Sequence, residues 1–132
     1  MSQELQQALF DKYPAIFAER FLPTDQSAMS CGIECHDGWF HLVDVLCDVL
    51  QAETDAEGAP QIIAVQVKEK FGRLRFRIRG FRHGASVRQW AMIRFAEALS
   101  ERTCEVCGAP VPEPPYTREA PAGRCMLHRN SR

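Results

Sequence analysis

Four residues near the C-terminus have the types and spacing of a metal-ligand set. Cys104 and Cys107 are separated by two residues and followed by Gly108, and Cys125 and His128 are separated by two more. Two side chains three positions apart can turn toward one ion, and the glycine permits the tight turn this requires. Three thiolates and an imidazole close a tetrahedron and leave no position for water, so the chemistry expected is a structural Zn2+ site of the zinc-knuckle or zinc-ribbon kind. The seventeen residues between Cys107 and Cys125 hold five of the eight prolines: Pro110, Pro112, Pro114, Pro115 and Pro121. Such a segment buries little core. An ion gripping both its ends would hold it, with a binding energy of roughly 10 kcal/mol or more becoming local folding energy. Two alternatives stay open. Cys104 and Cys107 could form a redox pair, although they leave a helix for a loop instead of opening one. His83 or a carboxylate could also stand as fourth ligand in place of His128.

A second group with chemical potential is Cys31, Cys35 and His36 in "SCGIECHDGWF". A cysteine with a histidine base beside it is a nucleophile in many enzymes, so an enzyme using Cys35, His36 and Asp37 is one reading. Against it, neighbours in an extended segment point to opposite faces. Free cysteine is also often a small buried hydrophobe, the reading adopted for Cys47.

The third group is cationic. "KEKFGRLRFRIRGFR" sets Arg73, Arg75, Arg77 and Arg79 on one side of an alternating run, with Lys68, Lys70 and Arg82 close by. These side chains could bind phosphates of a nucleic acid or carboxylates of a protein partner. They could equally be a solvated face, or be paired internally with the acidic stretch from Asp25 to Glu57. Phe71 and Phe81 flank the strand and could stack on bases, but they are expected to cap the core.

The elements that must position these groups follow from periodicity. Leu5, Leu9, Tyr13, Ile16 and Phe17 recur at helical spacing, but Pro14 divides them, which predicts two short helices. A loop spans Leu22 to Gly38. Asp37 then caps a helix running from Gly38 to about Gln51, with Trp39, Leu42, Val43, Leu46, Val49 and Leu50 inward and His41, Asp44, Asp48 and Gln51 outward. "AETDAEGAP" reads as an exposed acidic loop. A hairpin follows, placing Ile63, Val65 and Val67 on one face of its first strand and Leu74, Phe76 and Ile78 inward on its second. A third strand or a helix must cover its apolar side. Ser86 and Gln89 form a capping box for a helix reaching about Arg102, with Val87, Trp90, Ala91, Phe95, Ala98 and Leu99 as its buried stripe. The fold class expected is α+β: a small antiparallel sheet on helices in residues 1–103, with a zinc-binding tail, 104–132, packed on the same domain.

The 132 residues suit one domain with a core of its own. No apolar run is long enough to cross a membrane, and the N-terminus lacks the pattern of a secretory signal. A cytosolic setting is therefore expected, where paired cysteines more often hold metal than form disulfides. The net charge of −1 hides a segregated chain. Residues 21–67 carry eight acidic side chains and no Lys or Arg, and residues 68–88 carry eight basic ones and a single Glu.

Taken together, "DKYPAIF", "GIECHDGWFHLVDVLCDVL", "VQVKEKFGRLRFRIRG", "CEVCGAP" and "CMLH" resemble a family of small proteins encoded by tailed phages and bacterial prophages. The resemblance covers nearly the whole chain. It implies a bacterial cytoplasmic setting, a mobile-element origin and a zinc-binding tail whose ligand pairs correspond to Cys104, Cys107, Cys125 and His128. Two departures stand out: His36 replaces a small residue, and the strand around Phe76 is loaded with arginine. The function expected is that of a non-enzymatic, zinc-stabilised interaction protein that binds and modulates a bacterial or phage protein, an inhibitor of a defence system being the concrete form. A nucleic-acid-binding accessory protein using the arginine face is the alternative, and an enzyme is the third.

Overall fold

The computed structural model describes residues 1–111 and 124–128; the expectations for Pro112, Pro114, Pro115 and Pro121 lie outside the described residues. Three helices and a three-stranded mixed sheet make an α+β fold. Helix α1 (Gln3–Lys12) starts at Ser2, whose hydroxyl accepts the Leu5 N–H. It stops before Pro14, which has no N–H to continue it, and a short 3-10 turn, Ala18–Phe21, follows. The segment expected to be loop contains a strand, β1 (Ile33–Glu34), which pairs parallel with β2 (Ala64–Lys70). Two residues carry too little periodicity to be seen in sequence. Strand β3 (Arg73–Ile78) pairs antiparallel with β2.

The register of β2 corrects the expectation. Ile62, Ala64 and Val67 are buried, while Ile63 and Val65 are half-buried. An irregularity between Ala64 and Gln66 shifts the pairing with β3, and an extra residue in one strand switches which parity faces the core. On β3 the expected alternation holds: Leu74, Phe76 and Ile78 are buried, and Arg75, Arg77 and Arg79 are exposed.

Helix α2 (Phe40–Glu57) begins two residues later than expected, after a 3-10 turn over Asp37–Trp39. Asp37 does not cap it. Its carboxylate accepts the Ser2 N–H at 2.7 Å and so secures the start of α1 instead. The helix also runs past Gln51 to Gly58, which closes it in the left-handed conformation at φ 69°. The supposed acidic loop is thus its last turn, where buried Glu53 meets Arg88 at 3.0 Å.

Helix α3 (Val87–Ser100) has the expected capping box, but its buried face differs from the one expected. Gln89, Ile93, Ala96 and Ser100 are inward, whereas Val87 is 89% exposed, Phe95 70%, and Ala91, Ala98 and Leu99 also face out. Hydrogen bonding explains the rotation. Buried Gln89 donates to the carbonyls of Leu50 and Pro60, serving the C-terminal end of α2. Ser100 Oγ and Glu97 Oε2 accept the N–H groups of Leu74 and Phe76 at 2.8 and 3.0 Å. Those N–H groups lie on the open edge of β3, so α3 turns polar side chains inward to close a sheet edge that would otherwise template pairing.

The core cluster of Leu9, Ile16, Phe17, Trp39, Leu46, Leu50, Val67 and Leu74 lies where the helices meet the sheet. Cys47 sits among them, its thiol pushed up by burial, as the packing reading requires.

Candidate metal centre

The four tail residues converge. Among the described residues they form a group whose Cys104, Cys107 and Cys125 sulfurs and His128 nitrogen all lie within 4.8 Å of one another. Local structure explains how. After α3 the chain makes a tight knuckle: Cys104 N–H donates to Ala109 O at 2.7 Å, Gly108 N–H to Cys104 O at 2.8 Å, and Thr103 bridges Pro110. A second turn, His128 N–H to Cys125 O at 3.0 Å, presents the other pair. Cys107 Sγ lies 3.7 Å from Cys125 Sγ, Cys104 Sγ 3.6 Å from His128 Nδ1, and Cys125 Sγ 3.2 Å from the same nitrogen.

These distances test the fit to an ion. A sulfur–sulfur bond would need about 2.0 Å. Ligands at roughly 2.3 Å for sulfur and 2.0 Å for nitrogen around one tetrahedral ion would stand roughly 3.5–3.8 Å apart. The two cross-pair separations match the tetrahedron, and all three cysteines are free thiols. The cluster can hold a metal ion, with His128 and not His83 in the fourth position among the described residues.

The electrostatics favour a cation. Burial alone would raise the Cys104 thiol, but the N–H groups of Cys125, Cys107 and Val106 and the Cys125 thiol outweigh it, bringing the pKa to about 6. At Cys107 the Ala109 N–H works in the lowering direction, yet desolvation and the neighbouring sulfurs leave that thiol raised. One thiolate held by backbone dipoles beside two more sulfurs is a soft-ligand site.

The knuckle docks on the motif singled out in sequence for a different reason. Gly38 N–H donates to Glu105 O at 2.7 Å, and a Cβ on Gly38 would stand 2.2 Å from Cys104 O and 2.4 Å from Glu105 O. Trp39, buried in the core, sends its indole Nε1–H across to Thr103 O at 2.8 Å. Buried Glu105 accepts the His36 N–H at 3.2 Å and faces Arg124 at 3.4 Å. Gly38, Trp39, Glu105 and Arg124 are the supporting residues sequence reasoning missed. The Gly38-Trp39 pair was the available signal, since a glycine beside a large aromatic marks close backbone approach.

No nucleophile–base pair is assembled at Cys35 among the described residues. Its side chain is buried and its thiol raised to about 12, chiefly by burial, whereas His36 and Cys31 are exposed. Asp37 is engaged with Ser2.

The cationic face is divided. Arg79 binds both carboxylate oxygens of Glu19, and Arg73 meets Glu101 at 3.4 Å, so the ends of the row are internally paired. Arg75 and Arg77, in the middle, have no ion-pair partner among the described residues, and Lys68 and Lys70 lie opposite Arg75 and Arg73 on β2. Phe71 and Phe81 do not cap the core. They are 85% and 65% exposed, and Lys70 and Arg82 lie over their respective rings.

No protein-family model, curated protein or solved structure matches the chain. Among the described residues no helix is long and apolar enough to cross a membrane.

Proposed function

We propose that this is a non-enzymatic interaction protein, stabilised by a structural Zn2+ on Cys104, Cys107, Cys125 and His128, that binds a bacterial or phage protein through its α2–α3 face. The observation that carries the reading is the exposed apolar stripe of α3. Ala91, Phe95 and Leu99 line a groove with Leu42, Val45 and Val49 of α2, all of them on exposed or half-buried positions. An apolar face on an otherwise well-packed domain marks an interaction site. The start of α3 contacts the end of α2, so the helices run antiparallel and leave a groove shaped for a third. Asp48 and Asp55 lie seven apart along the outer edge of α2, and Arg94 stands on the outer edge of α3. The occupant we infer is an amphipathic helix with basic residues along one margin and acidic residues along the other.

Zinc is favoured over other ions by the donor set: three thiolates and one imidazole in a closed tetrahedral arrangement. The phage or prophage origin, the bacterial cytoplasmic setting and the modulation of a defence component rest on the resemblance of the "GIECHDGWF", "VKEKFGRLRF" and C-terminal Cys/His blocks.

Two measurements test this. Metal analysis of the purified chain is expected to find one zinc per chain, lost in Cys107→Ala; a folded, metal-free protein rejects the cofactor. A photo-crosslinker at position 95 should trap a helical partner in host cells, and the pair rebuilt from purified components should lose at least tenfold in affinity with Phe95→Glu. Unchanged affinity, or sedimentation showing that a second copy of this chain covers the face, rejects the proposed partner.

A further inference from the structure

We infer that the outer face of β3 and its two flanking turns form a binding site for single-stranded nucleic acid, separate from the α2–α3 face. The argument begins at the hairpin tip. Phe71 has φ 55° and is followed by Gly72 at φ 78°, a two-residue turn in which both positions are left-handed. Asparagine or aspartate is the usual residue at the first position, because a bulky side chain is disfavoured there. Phe71 is nevertheless aromatic and almost wholly solvent-exposed, so it gains little from the core in return for its strain. At the other end of the strand Phe81 repeats the pattern, with φ 51° and an exposed ring. A strained backbone that holds an aromatic side chain in solvent serves something outside the fold.

What lies between the two rings specifies the ligand. Arg75 and Arg77 project from β3 with no ion-pair partner among the described residues, with Lys68 across from Arg75 on β2. Arg75 and Arg77 also line a cleft of about 470 Å³ shared with Phe81, Trp90 and Glu97. Phe81 packs edge-to-face on Trp90, with ring centroids 5.5 Å apart, so its own face is steadied. Cations spaced along a strand match successive phosphates, and aromatic faces at either end accept unpaired bases. An acidic peptide would use the cations and leave the aromatic rings idle. A duplex keeps its bases stacked and offers those rings nothing. The residues therefore select a flexible polyanion that has π-faces.

The test is fluorescence anisotropy with labelled oligonucleotides of about twelve residues, within the site sizes of small single-strand binders, as DNA, as RNA and as duplex. The metal-loaded full chain is titrated over a range of salt. Expected are binding at low salt, preference for single strands, and comparison of the DNA and RNA arms to show which sugar is accepted. Arg75→Ala with Arg77→Ala should reduce the log–log salt slope by about 1.4, at about 0.7 per phosphate on single strands. Phe71→Ala and Phe81→Ala should each weaken binding about tenfold with the slope unchanged, and Phe71→Trp should restore it. Phe95→Glu should bind nucleic acid normally, which separates this site from the helical face. Absence of binding at low salt overturns the inference. So does equal binding to duplex, indifference to the Phe71 and Phe81 replacements, or displacement by polyglutamate of similar length as readily as by the unlabelled strand.

Discussion

At the scale of single residues, the molecule is organised around places where one backbone closely approaches another. Gly38 is the clearest: its missing side chain is the space occupied by the carbonyls of Cys104 and Glu105. Gly38→Ala is expected to force the knuckle off its seat and cost about 2–3 kcal/mol, within the range of strongly destabilising point changes. Chemical denaturation of the metal-loaded protein checks this, and the same variant should release the proposed ion faster to a chelator. Asp44 instead ties α1 to α2 through side chains. Partial burial would raise its carboxyl, but the Tyr13 hydroxyl at 2.7 Å and Lys12 at 2.9 Å outweigh that and hold it below the usual range. A carboxylate with a depressed folded-state pKa contributes stability that is present above its unfolded value, roughly 4, and is lost as pH falls through the folded value. Tyr13→Phe should therefore cost about 1 kcal/mol at neutral pH, and the loss should shrink in acid. A pH series of urea midpoints measures it.

At the scale of elements, α3 carries the main lesson. Apolar residues lie on two of its sides, and amphipathicity cannot say which is inward. Its polar groups decide, because Gln89 answers the Pro60 carbonyl just beyond α2, and Ser100 and Glu97 answer N–H groups on the open edge of β3. One side chain does two tasks: Gln89 Oε1 accepts the Ser86 N–H at 2.9 Å while its amide donates to Leu50 and Pro60. Gln89→Leu, nearly equal in size, is expected to destabilise by about 1–3 kcal/mol through the carbonyls and cap left unpaired. Val87→Asp and Phe95→Glu should change stability by about 0.5 kcal/mol or less, and Ile93→Ala should cost about 2–5 kcal/mol. Thermal denaturation of the four variants reads out the orientation of the helix directly; the reverse ranking would mean that the predicted stripe is the buried one.

At the scale of the whole molecule the described residues form two hydrophobic clusters, a large one between helices and sheet and a small one of Cys104, Val111 and Cys125 with Val106 and Ala109. The hydrogen bonds of His36, Gly38 and Trp39 join them. Removal of the ion should then loosen the small cluster and leave the large one standing. In a Trp90→Phe background, where Trp39 is the remaining tryptophan, chelation is expected to change the indole emission as Thr103 withdraws, with far-UV helix signal largely kept. Loss of the entire helix signal on chelation would make the ion a condition for the whole fold. Charge is also distributed at this scale, with acidic residues along α2 and, on β3, Arg75 and Arg77 without an ion-pair partner among the described residues, so the near-neutral total conceals a polar molecule.

Much of this was legible along the chain. The Cys/His pairs, the break at Pro14, the alternation of β3 and the capping box of α3 are local patterns, set by spacing and by the chemistry of neighbouring residues. The sequence by itself thus determined the candidate ligand set and the α+β class. Tertiary structure decided what local spacing cannot encode. It paired β1 with β2, shifted the register of β2, lent Asp37 to α1 and rotated α3 so that its polar groups met an open strand edge. It also divided the arginine row, tying Arg73 and Arg79 to Glu101 and Glu19 while leaving Arg75 and Arg77 outward. Each of these rests on a backbone or carboxylate group distant in sequence, and the demand of buried polar groups for partners is what brings such groups together.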